Sequence, residues 1–281
     1  MGSWVIARLT FHEASRRWVM WAALLLGLIF LIVFAVGFSE IHKQIERNPV
    51  AAGPSRLMVN EIFNMMFMAG LYVVNFLTII MTVLTSVDTL AGEINTGTIH
   101  TMVSKPIRRW EIVMGKWLGF VGMLSLYLLF MGGGVIIIIY LISGYIAPNI
   151  PAGLAMMWVN MTLLLGISLM GGAWLSTLAN GVLVFGLYGI AFIGGWIEQF
   201  GSFLGIESAM NIGIVCSLIM PSEAIWKRAA YEMQSPVVSA LGGFSFFSGS
   251  TVPSPLMVGY SLFYAFSVMA MAIYLFQRRD L

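Results

Sequence analysis

Residues 117–142 read WLGFVGMLSLYLLFMGGGVIIIIYLI, an apolar stretch long enough to cross a bilayer as a helix. From residue 117 to residue 197 the chain contains no Asp, Glu, Lys, Arg or His. Over all 281 residues, 59% are hydrophobic and 9% are charged, whereas roughly 25% of the residues of a soluble domain are charged. This composition excludes a soluble globular protein and a disordered chain, and the net charge of +2 argues against nucleic-acid binding. The single cysteine excludes a disulfide framework.

The hydropathy pattern predicts an all-α integral membrane protein, with a single transmembrane domain over residues 1–281. The six predicted spans cover about residues 19–38, 62–87, 117–142, 154–178, 182–197 and 256–276. Residues 1–17 are too polar to cross, and they predict a helix lying in the membrane interface. Its arginines near the lipid headgroups would be Arg8, Arg16 and Arg17. The alternative for this segment is a ragged N-terminal leader.

Residues 198–254, between the fifth and sixth predicted spans, contain an apolar run at 209–220 that is too short to cross a bilayer. Pro221 stops this run, and a polar helix-like piece follows it. The pattern predicts a re-entrant or interfacial element outside the cytoplasm. A simple outside loop lying on the membrane is the alternative.

The distribution of charge predicts the orientation of the spans. With six spans both termini share a side, and that side carries nine Lys or Arg against five Asp or Glu. The other side carries five basic residues against seven acidic ones. The positive-inside rule therefore predicts that both termini and residues 88–116 are cytoplasmic.

The predicted spans contain no ionisable side chain, which argues against ion-driven transport and against an enzyme acting inside the membrane. The three histidines are isolated, so the sequence predicts no metal site. Methionines cluster in spans two and four, and would suit a cavity for a hydrophobic or amphipathic cargo: Met65, Met66, Met68, Met156, Met157, Met161 and Met170. The alternative is that they face lipid or pack helices. Small residues at four-residue spacing predict close helix packing in span four: Ser168, Gly172 and Ser176.

Residues 88–117 form the longest polar connection and read DTLAGEINTGTIHTMVSKPIRRWEIVMGKW. The pattern predicts a helix end at Gly97, a turn, and a second short helix lying along the membrane, because Pro106 limits helix continuation through Lys105. Basic side chains here can meet phosphates of the inner leaflet or acids of a partner: Arg108, Arg109 and Lys116. Gly115-Lys116 is not a phosphate-binding loop, because the upstream glycine is missing and Trp117 stands where Ser or Thr is needed. The chain therefore has no nucleotide site of its own.

The order of residues in this connection resembles that of type-2 ATP-binding-cassette exporter permeases. The matching residues are Glu93, Gly97, Thr98, Lys105, Pro106, Arg108, Arg109, Gly115 and Lys116. The resemblance extends to the six spans, the N-terminal interfacial helix and the longer segment before the last span. Pro221 with Ser222 and Glu223 also resembles permeases of the copper-nitrous-oxide-maturation and sodium-efflux kind.

The resemblance implies a permease that pairs with a second permease copy or a homologue and takes two cytoplasmic ATPase subunits, which would bind the ATP and Mg. The ATP would drive either export of a cargo or a mechanical action. It also implies a bacterial or archaeal cytoplasmic membrane, and contacts of residues 88–116 and of the N-terminal helix with the ATPase. Within that segment, Glu93 would pair either with a basic residue of the bundle, such as Arg16 or Arg17, or with a basic residue of the ATPase. A non-transporting membrane scaffold or assembly factor is the second class of function that the sequence allows.

Overall fold

A computed structural model of the chain describes residues 2–47, 56–95, 97, 108–235 and 252–279. In these ranges every regular element is a helix. The helices are α1 (Gly2–Arg16), α2 (Trp18–Arg47), α3 (Arg56–Asn95), α4 (Arg109–Ser143), α5 (Ile150–Trp174), α6 (Thr177–Leu204), α7 (Glu207–Ile219), α8 (Ser222–Met233) and α9 (Pro255–Arg278). Six of the described helices are long and apolar enough to cross a membrane: α2, α3, α4, α5, α6 and α9. The predicted all-helical fold with six candidate spans is therefore confirmed.

The long helices run up and down, so the bundle has two distinct ends. Gly2 of α1 lies beside the Glu111 carboxylate at the start of α4. The Arg109 guanidinium, also at the start of α4, donates to the Gln277 carbonyl at the end of α9 over 3.0 Å. The first and last described parts of the chain therefore lie together, at what we call the terminal end.

The core is centred on α3 and α5, whose side chains are the most completely buried of the candidate spans. Hydroxyl groups on the buried face of α3 are satisfied within their own helix, because Thr78 donates to the Val74 carbonyl over 2.8 Å and Thr82 to the Thr78 carbonyl over 2.7 Å. Such internal pairing is what a membrane interior demands of polar groups.

Most of the methionines of spans two and four pack in or against the apolar core. The fully buried ones belong to the main apolar core, namely Met68, Met157 and Met161, and partly buried ones pack against it, namely Met66, Met156 and Met170. Met65 is exposed on α3. The helix-packing alternative is therefore the correct interpretation for most of them.

Several helices extend beyond their predicted spans: α2 continues to Arg47 and α6 to Leu204, and α3 and α4 extend into the predicted connection. α3 continues to Asn95 and α4 begins at Arg109, so most of the predicted connection 88–116 consists of two helix ends. Arg109 to Lys116 form the first turns of α4. Residues 98–107, on which the predicted second short helix largely falls, lie outside the described residues.

The break between the fourth and fifth spans also differs from the prediction. α5 ends at Trp174 and α6 begins at Thr177, so the break falls at Leu175 and Ser176 rather than at residues 179–181. Ser176 is exposed at this break. The predicted stripe of Ser168, Gly172 and Ser176 is therefore not one helix face, although Ser168 and Gly172 are buried on α5.

α7 and α8 form a pair of short helices bent by 104°, which we call the bent pair. α7 runs back along α6, with Ala209 against Gly201 and Cys216 against Gly194. α8 returns toward the end opposite the terminal end, where Met233 packs on Gly153 at the start of α5. The bent pair enters and leaves the bundle at the same end, and its length and bend are those of a broken span or a re-entrant element.

Candidate coupling site at the terminal end

The end of α3 is formed by a glycine turn. Gly97 has φ of 73°, and its N–H donates to the Ile94 carbonyl over 3.2 Å. Glycine adopts this left-handed conformation without the steric penalty that a Cβ imposes. Gly97 thus sits where the sequence predicts a helix end, whereas Thr98, Lys105 and Pro106 lie outside the described residues.

The start of α4 is capped by its own first turn. The Arg108 N–H donates to Glu111 Oε2 over 3.1 Å, which satisfies a donor that the helix itself cannot pair. The Arg108 side chain is exposed. It is therefore available to a phosphate or to an acidic partner group.

A buried ion pair joins α3 to α4. Lys116 Nζ donates to Glu93 Oε1, and the two side chains are only 2% and 13% exposed. Glu93 therefore pairs with a basic residue of the bundle, as the first alternative expected, but the observed partner is Lys116, while Arg17 pairs with Glu13 at 2.7 Å. Lys116 is accordingly a structural cation between helices and does not face lipid phosphates.

α1 is docked on α4 through glycines. A Cβ at Gly115 would lie 2.7 Å from the Ser3 carbonyl oxygen, and one at Gly119 would lie 2.7 Å from the Ala7 carbonyl oxygen. Small residues at four-residue spacing let two backbones approach this closely. The opposite face of α1 exposes Trp4 and Arg8, as expected of a helix in the membrane interface.

Two arginines bind the carboxyl ends of neighbouring helices. The Arg109 guanidinium donates to the Arg279 carbonyl over 2.7 Å, in addition to that of Gln277. The Arg279 guanidinium donates to the Ala173 carbonyl, near the end of α5, over 2.8 Å. Cations favour these unpaired carbonyls and the negative end of the helix dipole. Arg109 and Arg279 therefore tie α4, α9 and α5 together.

A polar cluster joins α3, α5 and α6 just inside the terminal end. The Ser86 and Ser168 hydroxyl groups are hydrogen-bonded to each other over 2.7 Å. Asn180 Nδ2 donates to the Val87 carbonyl over 3.0 Å and to the Ser168 carbonyl over 2.9 Å. Sequence reasoning missed Asn180, because the hydropathy pattern assigned it to a connection between spans. Its neighbours Ala179 and Gly181 gave no sign that the residue lies in a helix.

A polar cavity of about 380 Å³ opens beside the end of α3. Its lining includes Asp88, Glu93 and Asn95 of α3, Arg17, and Thr177 of α6. Thr177 Oγ1 donates to Asp88 Oδ1 over 2.9 Å. Within the described part of the chain, no three His, Cys, Asp or Glu side chains come together as metal ligands. The chemistry of this end is thus one of fixed ion pairs and hydrogen bonds between helices.

Ionisable groups also lie buried near the opposite end, which contradicts the expectation of uncharged spans. α6 extends past residue 197, so Glu198 is inside this helix, and its carboxylate accepts from Lys227 Nζ of α8 over 2.8 Å. Glu223, one turn earlier on α8, is buried beside them. The sequence argument against ion-driven transport assumed that no charged side chain is buried among the spans. The buried Glu198, Glu223 and Lys227 remove that assumption.

A family model described as ABC-2 family transporter protein matches residues 4–281 of the chain. The match covers nearly the whole sequence, so the chain belongs to this family. It is a multi-pass transmembrane permease subunit of an ABC transporter, the membrane component and not the catalytic one. Membership implies association with ABC ATPase subunits. A comparison with the curated proteins finds no match.

Proposed function

We propose that this chain is the membrane half of an ABC exporter, driven by ATP that separate cytoplasmic ATPase subunits bind with Mg and hydrolyse. The observation that carries the proposal is the buried Glu93–Lys116 pair, which fastens the end of α3 to the start of α4 on either side of residues 96–108. A protein that pushes on those residues would move two spanning helices as one body.

The contacts around this pair extend the moving body to further helices. α1 follows α4, because its backbone rests on Gly115 and Gly119. The ends of α9 and α5 follow through the carbonyl contacts of Arg109 and Arg279. An ATPase that contacts residues 96–108 and α1 at the terminal end would thus act on most of the bundle.

The cargo we propose is hydrophobic or amphipathic. A ladder of aromatic rings follows α6, with centroid separations of 6.1 Å from Tyr188 to Phe192, 6.4 Å from Phe192 to Trp196 and 5.8 Å from Trp196 to Phe200. An open apolar groove of about 610 Å³ runs along its outer part. A second permease copy facing this side would enclose an apolar path between the two copies.

The resemblance of Pro221 and its neighbours to copper-nitrous-oxide-maturation and sodium-efflux permeases makes these the subclasses to examine first.

The test is coexpression of the full chain with a candidate ATPase, followed by copurification and ATP hydrolysis. Glu93→Gln keeps the shape of the side chain and removes its charge, and Glu46→Gln, on an exposed residue of α2 at the opposite end, is the matched control. We expect the chain alone to hydrolyse no ATP, and the complex to do so. Glu93→Gln should weaken copurification or separate hydrolysis from cargo movement, while Glu46→Gln changes neither. If no ATPase copurifies with the wild-type chain, the scaffold alternative replaces the exporter.

A further inference from the structure

Three ionisable side chains meet between α6 and α8, and we call them the charged triad: Glu198, Glu223 and Lys227. All three are at least nine-tenths buried, with Lys227 only 3% exposed. Lys227 Nζ pairs with Glu198 Oε2 across the two helices at 2.8 Å. Glu223 lies one helical turn before Lys227 on the same helix and interacts electrostatically with both of the others. Lys227 therefore has one carboxylate near it on the neighbouring helix, that of Glu198, and a second on its own helix, that of Glu223.

Glycines set the spacing of the helices around the charged triad. A Cβ at Gly195 of α6 would overlap the Glu223 side chain, and a Cβ at Gly213 of α7 would overlap that of Glu198. The bent pair is thus packed directly on α6 at the level of the charges. Any outward movement of α8 must first separate Lys227 from Glu198.

Space for such a separation exists next to the pair. A cavity of about 340 Å³ borders Glu198 and Lys227, and residues of α7 and of the start of α9 form its other walls. Removing one partner from a buried ion pair is costly because the other charge is left uncompensated. A lysine that moves from one carboxylate to another stays paired itself, and one carboxylate lacks the lysine in either position.

We propose that the charged triad is a partner-exchange site that controls opening of the bent pair, in which Lys227 is held by Glu198 when α7 and α8 are seated on α6 and by Glu223 when the two helices move away from it together. Glu198 stabilises the seated position, because its pairing crosses the helix interface. Glu223 stabilises the displaced position, because it travels with Lys227 on α8. The two carboxylates therefore act in opposite directions on the same movement. The inference concerns this chain alone and does not depend on the proposed cargo or ATPase.

The chain carries its own reporter for this movement. Cys216 of α7 is its single cysteine, and its side chain packs on Gly194 of α6, so its reaction with a water-soluble maleimide reports separation of the bent pair from α6. The full chain in proteoliposomes, with the reagent on both sides, makes the result independent of orientation. The variants are Glu198→Gln and Glu223→Gln, with Glu207→Gln on an exposed residue of α7 as the control.

We expect Glu198→Gln to raise the labelling rate by about tenfold, Glu223→Gln to lower it below that of the wild type, and Glu207→Gln to leave it unchanged. Faster labelling in both triad variants would mean that the carboxylates only stabilise packing, and would overturn the proposal. Unchanged rates in either variant would also overturn it. Should Glu198→Gln fail to fold, Glu198→Asp keeps the charge at a shorter reach and should give a smaller increase.

Discussion

The Glu93–Lys116 pair is the residue-level contact on which the terminal end depends most. A surface ion pair contributes about 0–1 kcal/mol, whereas removing one partner of a buried pair costs roughly 3–5 kcal/mol. Because Lys116 is almost fully buried, we expect Lys116→Met to lower the free energy of unfolding by about 3–5 kcal/mol. The measurement is thermal unfolding of the purified chain in detergent.

The matched control is Lys43→Met, which breaks the exposed Lys43–Glu40 pair on α2. Its unfolding temperature should equal that of the wild type. Adding Glu93→Gln to Lys116→Met removes both buried charges and should recover part of the lost stability. Equal unfolding temperatures for Lys43→Met and Lys116→Met would show that the buried pair contributes no more stability than the exposed one.

Ser168 and Asn180 lie in one polar cluster but differ in how many hydrogen bonds between helices their side chains make. Ser86 keeps a bond to the Thr82 carbonyl of its own helix at 2.6 Å, so Ser168→Ala leaves its partner satisfied. A hydrogen bond between transmembrane helices contributes about 0.6 kcal/mol on average, and Ser168→Ala should cost no more than that. Asn180→Leu should cost roughly 1–3 kcal/mol, because it removes two hydrogen bonds that join α6 to α3 and α5. Unfolding of both variants in detergent checks the difference, and a larger loss for Ser168→Ala would contradict it.

At the scale of elements, α1 is held by backbone contact with α4, which makes its docking sensitive to one methyl group. A Cβ at Gly119 meets the Ala7 carbonyl, a backbone atom that cannot move without α1, whereas a Cβ at Gly122 would lie 3.7 Å from the Phe11 ring. We expect Gly119→Ala to displace α1 at a cost of about 1–3 kcal/mol and to speed tryptic cleavage at Arg16. Gly122→Ala should be cleaved like the wild type. Cleavage of both variants at the same rate would show that α1 is not held by this contact.

The number and approximate position of the spans could be predicted, because long apolar runs leave few alternatives in a membrane. The ends of α3 and α4 could not. Glu93 and Lys116 are 23 residues apart and on different helices, so nothing local in the sequence shows that they neutralise each other. Each of the two is a charged residue of the kind expected between spans. The second span was therefore predicted to end before Glu93, and the third to begin after Lys116.

The same reasoning explains why the burial of α8 was not predicted. Its charged residues suggest a solvated face, and Lys227 finds its buried partner on another helix. The turn before it, with Pro221, was visible in the sequence because proline limits helix continuation. A break in the backbone is thus predictable from local chemistry, while a buried ion pair requires the tertiary arrangement.

For the whole molecule, α3 is the element that connects the two ends. It has 40 residues, which is roughly 60 Å at 1.5 Å per residue. Near its start, Asn64 Nδ2 donates to the Met233 carbonyl of α8 over 3.3 Å, and near its end Glu93 pairs with Lys116. A displacement imposed at the terminal end therefore reaches the bent pair through one continuous helix. This connection is the physical route by which ATPase movement would act on the opposite end.

The arrangement of the ends predicts the accessibility of single positions in the membrane. Arg8 and Arg278 are exposed at the terminal end, and Glu46 is exposed near the end of α2, at the opposite one. Lys116 and Lys227 are buried, so neither can serve as a probe. Cysteines at positions 8, 46 and 278, each placed in a chain carrying Cys216→Ser, report the side on which each end lies.

Because the basic excess lies at the terminal end, the positive-inside rule orients that end toward the cytoplasm. We expect a membrane-impermeant thiol reagent to label position 46 in intact cells, and positions 8 and 278 only after the membrane is opened. Labelling of positions 8 and 278 from different sides would contradict the arrangement in which both lie at the terminal end. Labelling of position 46 from the same side as position 8 would contradict the bundle itself, since α2 would then not cross the membrane.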